Sequence, residues 1–281
     1  MDFLKAFIDN LDVETFPNLI NNIVRKQTIT PNDLETFLRH LKIVISYCCQ
    51  HPQSILEEID NLNENGLDSI IHYLHKATKN NTQVWNGTIG EAIATFYILG
   101  STEYQIPVFK LRFVPNRKMA MHGDDLLGMK FKEDGTPEQL LVVEVKNYGS
   151  NPRQAVKNAS DGLLKVQQGS ITLLDFTINI LNTSGKYKQA KLVKQFLDTY
   201  NHRYETEYLA FIVTEESKWK NEHFDAVVDD IQSPLNINAF LIPNWVEHER
   251  KLVLEEENKT PTTISLPNVE INELEDVKKL L

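Results

Sequence analysis

The sequence predicts an α/β fold, a mixed β-sheet flanked by helices with a helical N-terminal region in front of it. Three observations lead there. Apolar residues recur at helical spacing up to about Lys79, strand-like runs then alternate with helical ones, and two of those runs are joined by a short polar turn.

The elements follow in order. Pro31, Asn32 and Asp33 open a segment in which Leu34, Phe37, Leu38, Leu41, Val44 and Ile45 share a helical face. Ile55, Ile59 and Leu62 continue the pattern to a break at Asn63 to Gly66, after which Leu67, Ile70, Ile71 and Leu74 resume it. About four helices are expected before the polar boundary Lys79 to Thr82. Beyond it, a helix from about Gly87 to Leu99 precedes three expected strands, Val108 to Val114, Asp125 to Lys132 and Gln139 to Asn147. The segment Glu133 to Pro137 has turn chemistry, so the last two strands should form an antiparallel hairpin. A helical stretch from Pro152 to Leu181, bent near Gly169, leads to an amphipathic helix over Lys186 to Tyr200, with Val193, Phe196, Leu197 and Tyr200 inward. Two further strands, Glu207 to Thr214 and Asn236 to Ile242, complete the sheet. The expected division is a helical region over 1–80, a core over 81–250, and a charged tail with a short helix over 251–281.

Composition narrows the function. With 281 residues, 41% hydrophobic and 24% charged, the chain can bury a sizeable core. No apolar run reaches the roughly 18 residues that span a bilayer, so no membrane association is expected. Asp2 and Asp9 flank Leu4, Phe7 and Ile8 where a secretory leader would be basic, which predicts a cytoplasmic protein. Cys48 and Cys49 are adjacent in an apolar stretch and read as reduced core thiols. His72 and His75 bring no further zinc ligands at useful spacing. A net charge of −10 argues against tight DNA binding through the overall field, though not against a local basic groove or delivery by a partner.

The chemistry lies in Leu140 to Lys146, which reads Leu-Leu-Val-Val-Glu-Val-Lys. Alternation puts Glu144 and Lys146 on one face, about 6.6 to 6.8 Å apart, with Val143 and Val145 on the other. Ionised groups on so apolar a strand need partners, a metal or water. The hairpin brings the start of the preceding strand, Asp125 in His122 to Gly128, near the same point. Two carboxylates, with waters and phosphate oxygens, match the oxygen coordination that Mg²⁺ prefers. Such an ion would activate a water, and Lys146 would orient that water or stabilise developing negative charge. Glu91, in Gly87 to Thr95, shares a helical stripe with Thr88, Ala94 and Thr95 and is a third candidate; alternatively it is an acid favoured by the helix dipole. An isolated Glu-x-Lys is usually a cross-strand charge pair. Here it is joined by an acidic strand start nineteen positions earlier and an upstream Gly-Glu helix.

Gly90-Glu91, His122-Gly123 with Asp125, Glu144-Val145-Lys146 and a following alanine-bearing helix together resemble the PD-(D/E)XK nuclease superfamily. More narrowly, the layout over about residues 85 to 245 resembles the HamA nuclease subunit of Hachiman anti-phage systems, which works with a HamB helicase. The resemblance implies a restriction-endonuclease-like core and cleavage of DNA phosphodiesters with Mg²⁺ or Mn²⁺, under a helicase partner that controls access to DNA. By position it implies Asp125 and Glu144 as metal ligands, Lys146 as the catalytic lysine and Glu91 as an auxiliary acid. Gly123-Asp124 stands where the superfamily has Pro-Asp, so Asp124 rivals Asp125 as ligand.

Basic residues surround the proposed site. Lys110, Arg112, Arg117 and Lys118 precede it, and Arg153, Lys157 and Lys165 follow on a helix where Arg153 and Lys157 are i, i+4 neighbours able to face a phosphate. They read equally as solvated faces. His122 would bond a ligand or phosphate, or stabilise the turn. Two other functions fit the same residues: a non-catalytic interaction subunit that keeps the nuclease fold, and a stand-alone restriction endonuclease.

Overall fold

The computed structural model describes residues 12–16, 23–30, 34–50, 65–78, 81–114, 117, 124–169, 171–197, 205–227 and 235–254. The strands are β1 (Asp12–Phe16), β2 (Ile23–Thr28), β3 (Leu126–Phe131), β4 (Pro137–Asn147), β5 (Glu205–Glu215) and β6 (Leu235–Ile242). The helices are α1 (Leu34–Cys49), α2 (Asn65–Ala77), α3 (Thr82–Ser101), α4 (Pro152–Gln168), α5 (Thr172–Thr183), α6 (Tyr187–Lys194) and α7 (Trp245–Leu254).

The strands form one mixed sheet in the order β1-β2-β6-β5-β4-β3. β4, β5, β6 and β2 run parallel, and the two outer pairs, β1 with β2 and β3 with β4, are antiparallel. β4 and β5 are buried on both faces, which is why their apolar runs are almost continuous. One core contains Leu141, Val143 and Val145 of β4 and packs under α1, α2, α3 and α7. The other contains Leu140 and Val142 and packs under α4, α5 and α6. This is a restriction-endonuclease-like α/β arrangement, a mixed sheet between two helical layers. Among the described residues no helix is long and apolar enough to cross a membrane.

The expected β3–β4 hairpin is present, turning through Gly135 at φ 79°, a conformation glycine adopts without steric penalty. The bend near Gly169 is a break, with α4 ending at Gln168 and α5 starting at Thr172. Cys48 and Cys49 are buried free thiols, and burial raises the pKa of each.

Four expectations are corrected. The N-terminal region is not purely helical, because β1 and β2 precede α1 and extend the sheet. The partner of β2 is β6, with Ile23 opposite Asn236, so the pairing that makes it a strand is remote in sequence. The expected strand over Val108 to Val114 is instead a 3₁₀ turn at Lys110–Phe113, and among the described residues between α3 and β3 it is Gln105 that bridges to β3, at Met129. A strand would point Lys110 and Arg112 the same way, whereas a turn of about three residues separates them, one toward Asp125 and the other toward Tyr47. Val193 and Phe196 are buried as expected, but Leu197, expected inward, is 40% exposed, because α6 tightens into a 3₁₀ turn at Gln195–Leu197. Finally, α7 crosses the expected boundary at 250 and packs against α2 and β5. Met1 to Asn10, the 55–62 segment, Lys118, His122, Gly123, Tyr200 and the tail from Glu255 lie outside the described residues.

Candidate active site

β3 and β4 pair only from Leu126, opposite Val143, so β4 runs on without this neighbour through Glu144, Val145, Lys146 and Asn147. The N–H of Val145, which a longer β3 would have bonded, is taken by Asp125, whose Oδ2 accepts it at 2.7 Å. The aspartate therefore terminates the hairpin and puts a carboxylate at the fork between the two strands.

Glu144 and Lys146 lie on the α4 side of β4 and meet directly, Lys146 Nζ donating to Glu144 Oε1 at 2.6 Å. Lys146 also donates to the Val145 carbonyl at 3.1 Å. Their side chains are only 15% and 22% exposed. Burial pushes Glu144 up to about 7, with Asp125 adding to the rise and Lys146 opposing it. For Lys146, burial works to lower the pKa, but Asp125 and Glu144 outweigh it and leave the ammonium above its ordinary range. Gly162 of α4 makes the room: a methyl there would lie 2.7 Å from the Glu144 carboxyl carbon.

Glu91 reaches the fork from α3. Its Oε1 is 3.7 Å from Lys110 Nζ, which in turn lies 3.4 Å from Asp125 Oδ1. Glu91 Oε2 is buried without a hydrogen-bond partner. Burial drives the Glu91 pKa to about 8; Lys110 offsets part of this, while Asp125 and Glu144 add to it. The small residues of the stripe do their expected work: Ala94 is fully buried, and Thr88 and Thr95 return their hydroxyls to the Val84 and Glu91 carbonyls.

The two neighbouring aspartates separate clearly. Asp124 is engaged by α5, its Oδ2 accepting from the Leu173 N–H at 3.1 Å and standing 3.5 Å from the Thr172 hydroxyl at the start of that helix. Burial raises its pKa and the Leu173 bond opposes the rise. Asp124 thus satisfies a free N–H of a helix's first turn, a task ordinarily done by a capping side chain.

Among the basic candidates, Lys110 and Arg112 have their charges engaged inside the protein. Lys110 is 3% exposed and donates to the Asp124 carbonyl at 2.9 Å, besides facing Glu91 and Asp125. Arg112 lies over the rings of Tyr47 and Phe109 and donates twice to the Tyr47 carbonyl. Arg117 donates to the Cys49 carbonyl at 2.6 Å. Arg153, Lys157 and Lys165 are exposed on α4, Lys157 pairing with Asp161 at 2.6 Å. Two participants escaped the sequence reading. Lys110 reads in the sequence as a DNA contact or a solvated cation, whereas the structure buries it beside Glu91 and Asp125, and Gly162 has only its placement on the helix after Glu-x-Lys as a signal.

The donor chemistry fits a hard divalent cation. Glu91, Asp125 and Glu144 supply only carboxylate oxygens, and the unpartnered Glu91 Oε2 is a free donor in the interior. Among the described residues, no three His, Cys, Asp or Glu side chains converge on one ion position. The set therefore offers one or two carboxylates at a time, the number Mg²⁺ ordinarily takes alongside water and phosphate.

The HamA family model matches residues 1–279, almost the whole chain. Comparison with curated proteins gives no match.

Proposed function

The chain belongs to the HamA family, and from that premise we propose that it is a metal-dependent deoxyribonuclease, the effector of an anti-phage defence system, acting under a HamB-like partner helicase in the cytoplasm. The observation that carries the reading is the proximity of Asp125, Glu144 and Lys146 at the fork where β3 ends, with Glu91 facing them through Lys110.

Asp125 and Glu144 would hold Mg²⁺ or Mn²⁺, with Glu91 nearby as an auxiliary acid, and the bound ion would acidify a water and offset charge on the phosphate. Lys146 does the protein's own electrostatic work. As a cation held by Glu144, it donates to the attacking water or to a phosphate oxygen where negative charge develops. Lys110 keeps Glu91 and Asp125 from repelling each other. Asp124 anchors the β3 start to α5 and so steadies Asp125. Arg153, Lys157 and Lys165 offer a cationic edge for the DNA backbone. Because the chain carries a net charge of −10, much of its DNA affinity is assigned to the helicase.

The test is plasmid cleavage with and without Mg²⁺ or Mn²⁺, by the chain alone and with its helicase. Glu144→Ala and Lys146→Ala should each lower cleavage by about 100-fold or more. Unchanged rates would overturn the site assignment. Discrete fragments would identify a restriction enzyme, and partner binding without cleavage under any condition would identify an interaction subunit.

A further inference from the structure

Directly beneath the site, on the opposite face of β4, lies a polar cluster that the nuclease reading leaves without a task. Asn147 follows Lys146 and is 7% exposed. Its Nδ2 donates to the Asn86 carbonyl of α3 at 3.0 Å and to Glu249 Oε1 of α7 at 2.7 Å. Its Oδ1 accepts from the Trp245 indole N–H at 2.9 Å. The second Glu249 oxygen accepts from Asn86 Nδ2 at 3.2 Å. One carboxylate thus holds two amides, one on the helix that carries Glu91 and one on the strand that carries Glu144 and Lys146.

The cluster sits beside a close approach of α3 to β4. Asn86 is one helical turn before Gly90, and a methyl on Gly90 would lie 3.0 Å from Asn147 Cβ and 3.2 Å from Val145 Cγ1. Packing fixes how near α3 lies to β4, but apolar contact is non-directional and does not by itself fix how far the helix slides along the strand. Directional bonds from Glu249 to both elements do that. Stability is a poor account of this carboxylate: burial pushes Glu249 up to about 7, against the Asn147 bond and the nearby Arg250. An ionised group whose pKa is raised by burial costs the fold stability.

We infer that Glu249 is a positioning residue, clasping α3 to the end of β4 through Asn86 and Asn147 and so fixing Glu91 relative to Glu144 and Lys146. The inference rests on the nuclease reading of that site. It assigns α7, which contributes nothing to the acidic cluster itself, a direct part in the alignment of that cluster.

Full-length Glu249→Gln and Asn86→Ala proteins test it by hydrogen exchange, Mn²⁺ calorimetry, cleavage kinetics and melting at pH 8. Glutamine turns one acceptor into a donor that faces an amide donor, so one arm of the clasp is lost with little change in volume. Asn86→Ala removes the α3 arm independently, should the first variant fold poorly. In both, exchange should rise over residues 86–91 and 144–149, Mn²⁺ affinity should fall severalfold, and kcat should drop about tenfold with KM unchanged, since small misplacements act on the chemical step. The melting temperature should be maintained. Unchanged exchange in both segments overturns the clasp, and raised exchange with unchanged kcat overturns its positioning role. A wild-type protein that neither cleaves DNA nor binds Mn²⁺ would instead refute the nuclease reading, while exchange still decides whether the clasp exists.

Discussion

Two helices approach β4 from opposite faces, each through a glycine, and what those glycines touch differs. On the α3 side, a methyl at Gly90 would meet Asn147 Cβ and Val145 Cγ1, atoms fixed close to the backbone of β4. On the α4 side, a methyl at Gly162 would meet Cδ and Oε1 of Glu144, the far end of a flexible side chain. The first contact is a wall and the second is a movable functional group. The same substitution should therefore damage the fold on one face and the chemistry on the other.

Gly162→Ala carries the larger expected effect. The methyl cannot remain 2.7 Å from the Glu144 carboxyl carbon, so the side chain swings aside and its bond to Lys146 is strained or lost. Displacing a reacting group by about 1 Å costs up to about 100-fold in rate. Alanine in place of glycine inside a helix contributes up to about 1 kcal/mol, so the variant should melt no lower than wild type. Kinetics and melting on one preparation check both halves. Full activity would mean that Glu144 works from a position other than the one seen here.

Gly90→Ala should do the reverse. Crowding against Asn147 and Val145 costs about 1–3 kcal/mol, partly offset by about 1 kcal/mol of helix propensity, for a net loss of about 1–2 kcal/mol in denaturant unfolding. Activity should fall less than in Gly162→Ala, because no group of the acidic cluster touches this methyl. If Gly90→Ala were fully stable and inactive, the contrast between the faces would fail.

The contrast also explains what the sequence revealed. The α4 face was legible at Glu144 and Lys146 because two ionisable residues break an apolar strand at period two, a local pattern. Asp125 was legible through the hairpin, since a short turn fixes which ends meet. The α3 face was not, because its devices are remote in sequence: Asn147 bonds Glu249, and Glu249 sits on a helix, Trp245–Leu254, that the expected boundary at 250 cuts through. Lys110 was misread for a related reason. Its neighbours Val108, Phe109 and Leu111 suit a strand, and only the opposed anchors of Lys110 and Arg112 require a turn. β1 and β2 are 5 and 6 residues long, too short for periodicity to distinguish them from helix without β6.

Glu249 provides the smallest effect, and a pH dependence whose sign can be worked out. The groups facing it from α3 and β4 are the neutral amides of Asn86 and Asn147; among the described residues, the cation that acts on it is Arg250, its neighbour on α7. Its pKa rises on folding from an ordinary 4.5 to about 7. Between those values the folded protein keeps a proton that the unfolded chain releases, so this group's contribution to stability declines as pH rises through the window and levels off above it. Glu249→Gln has no proton to lose there. Its melting temperature relative to wild type should therefore climb between pH 5 and pH 8, by about 2–4 °C for each kcal/mol of the difference. Parallel melting curves across that range would mean that the Glu249 carboxylate is solvated in the folded protein, and the α3 face would then lack the buried charge that distinguishes it from a simple packing surface.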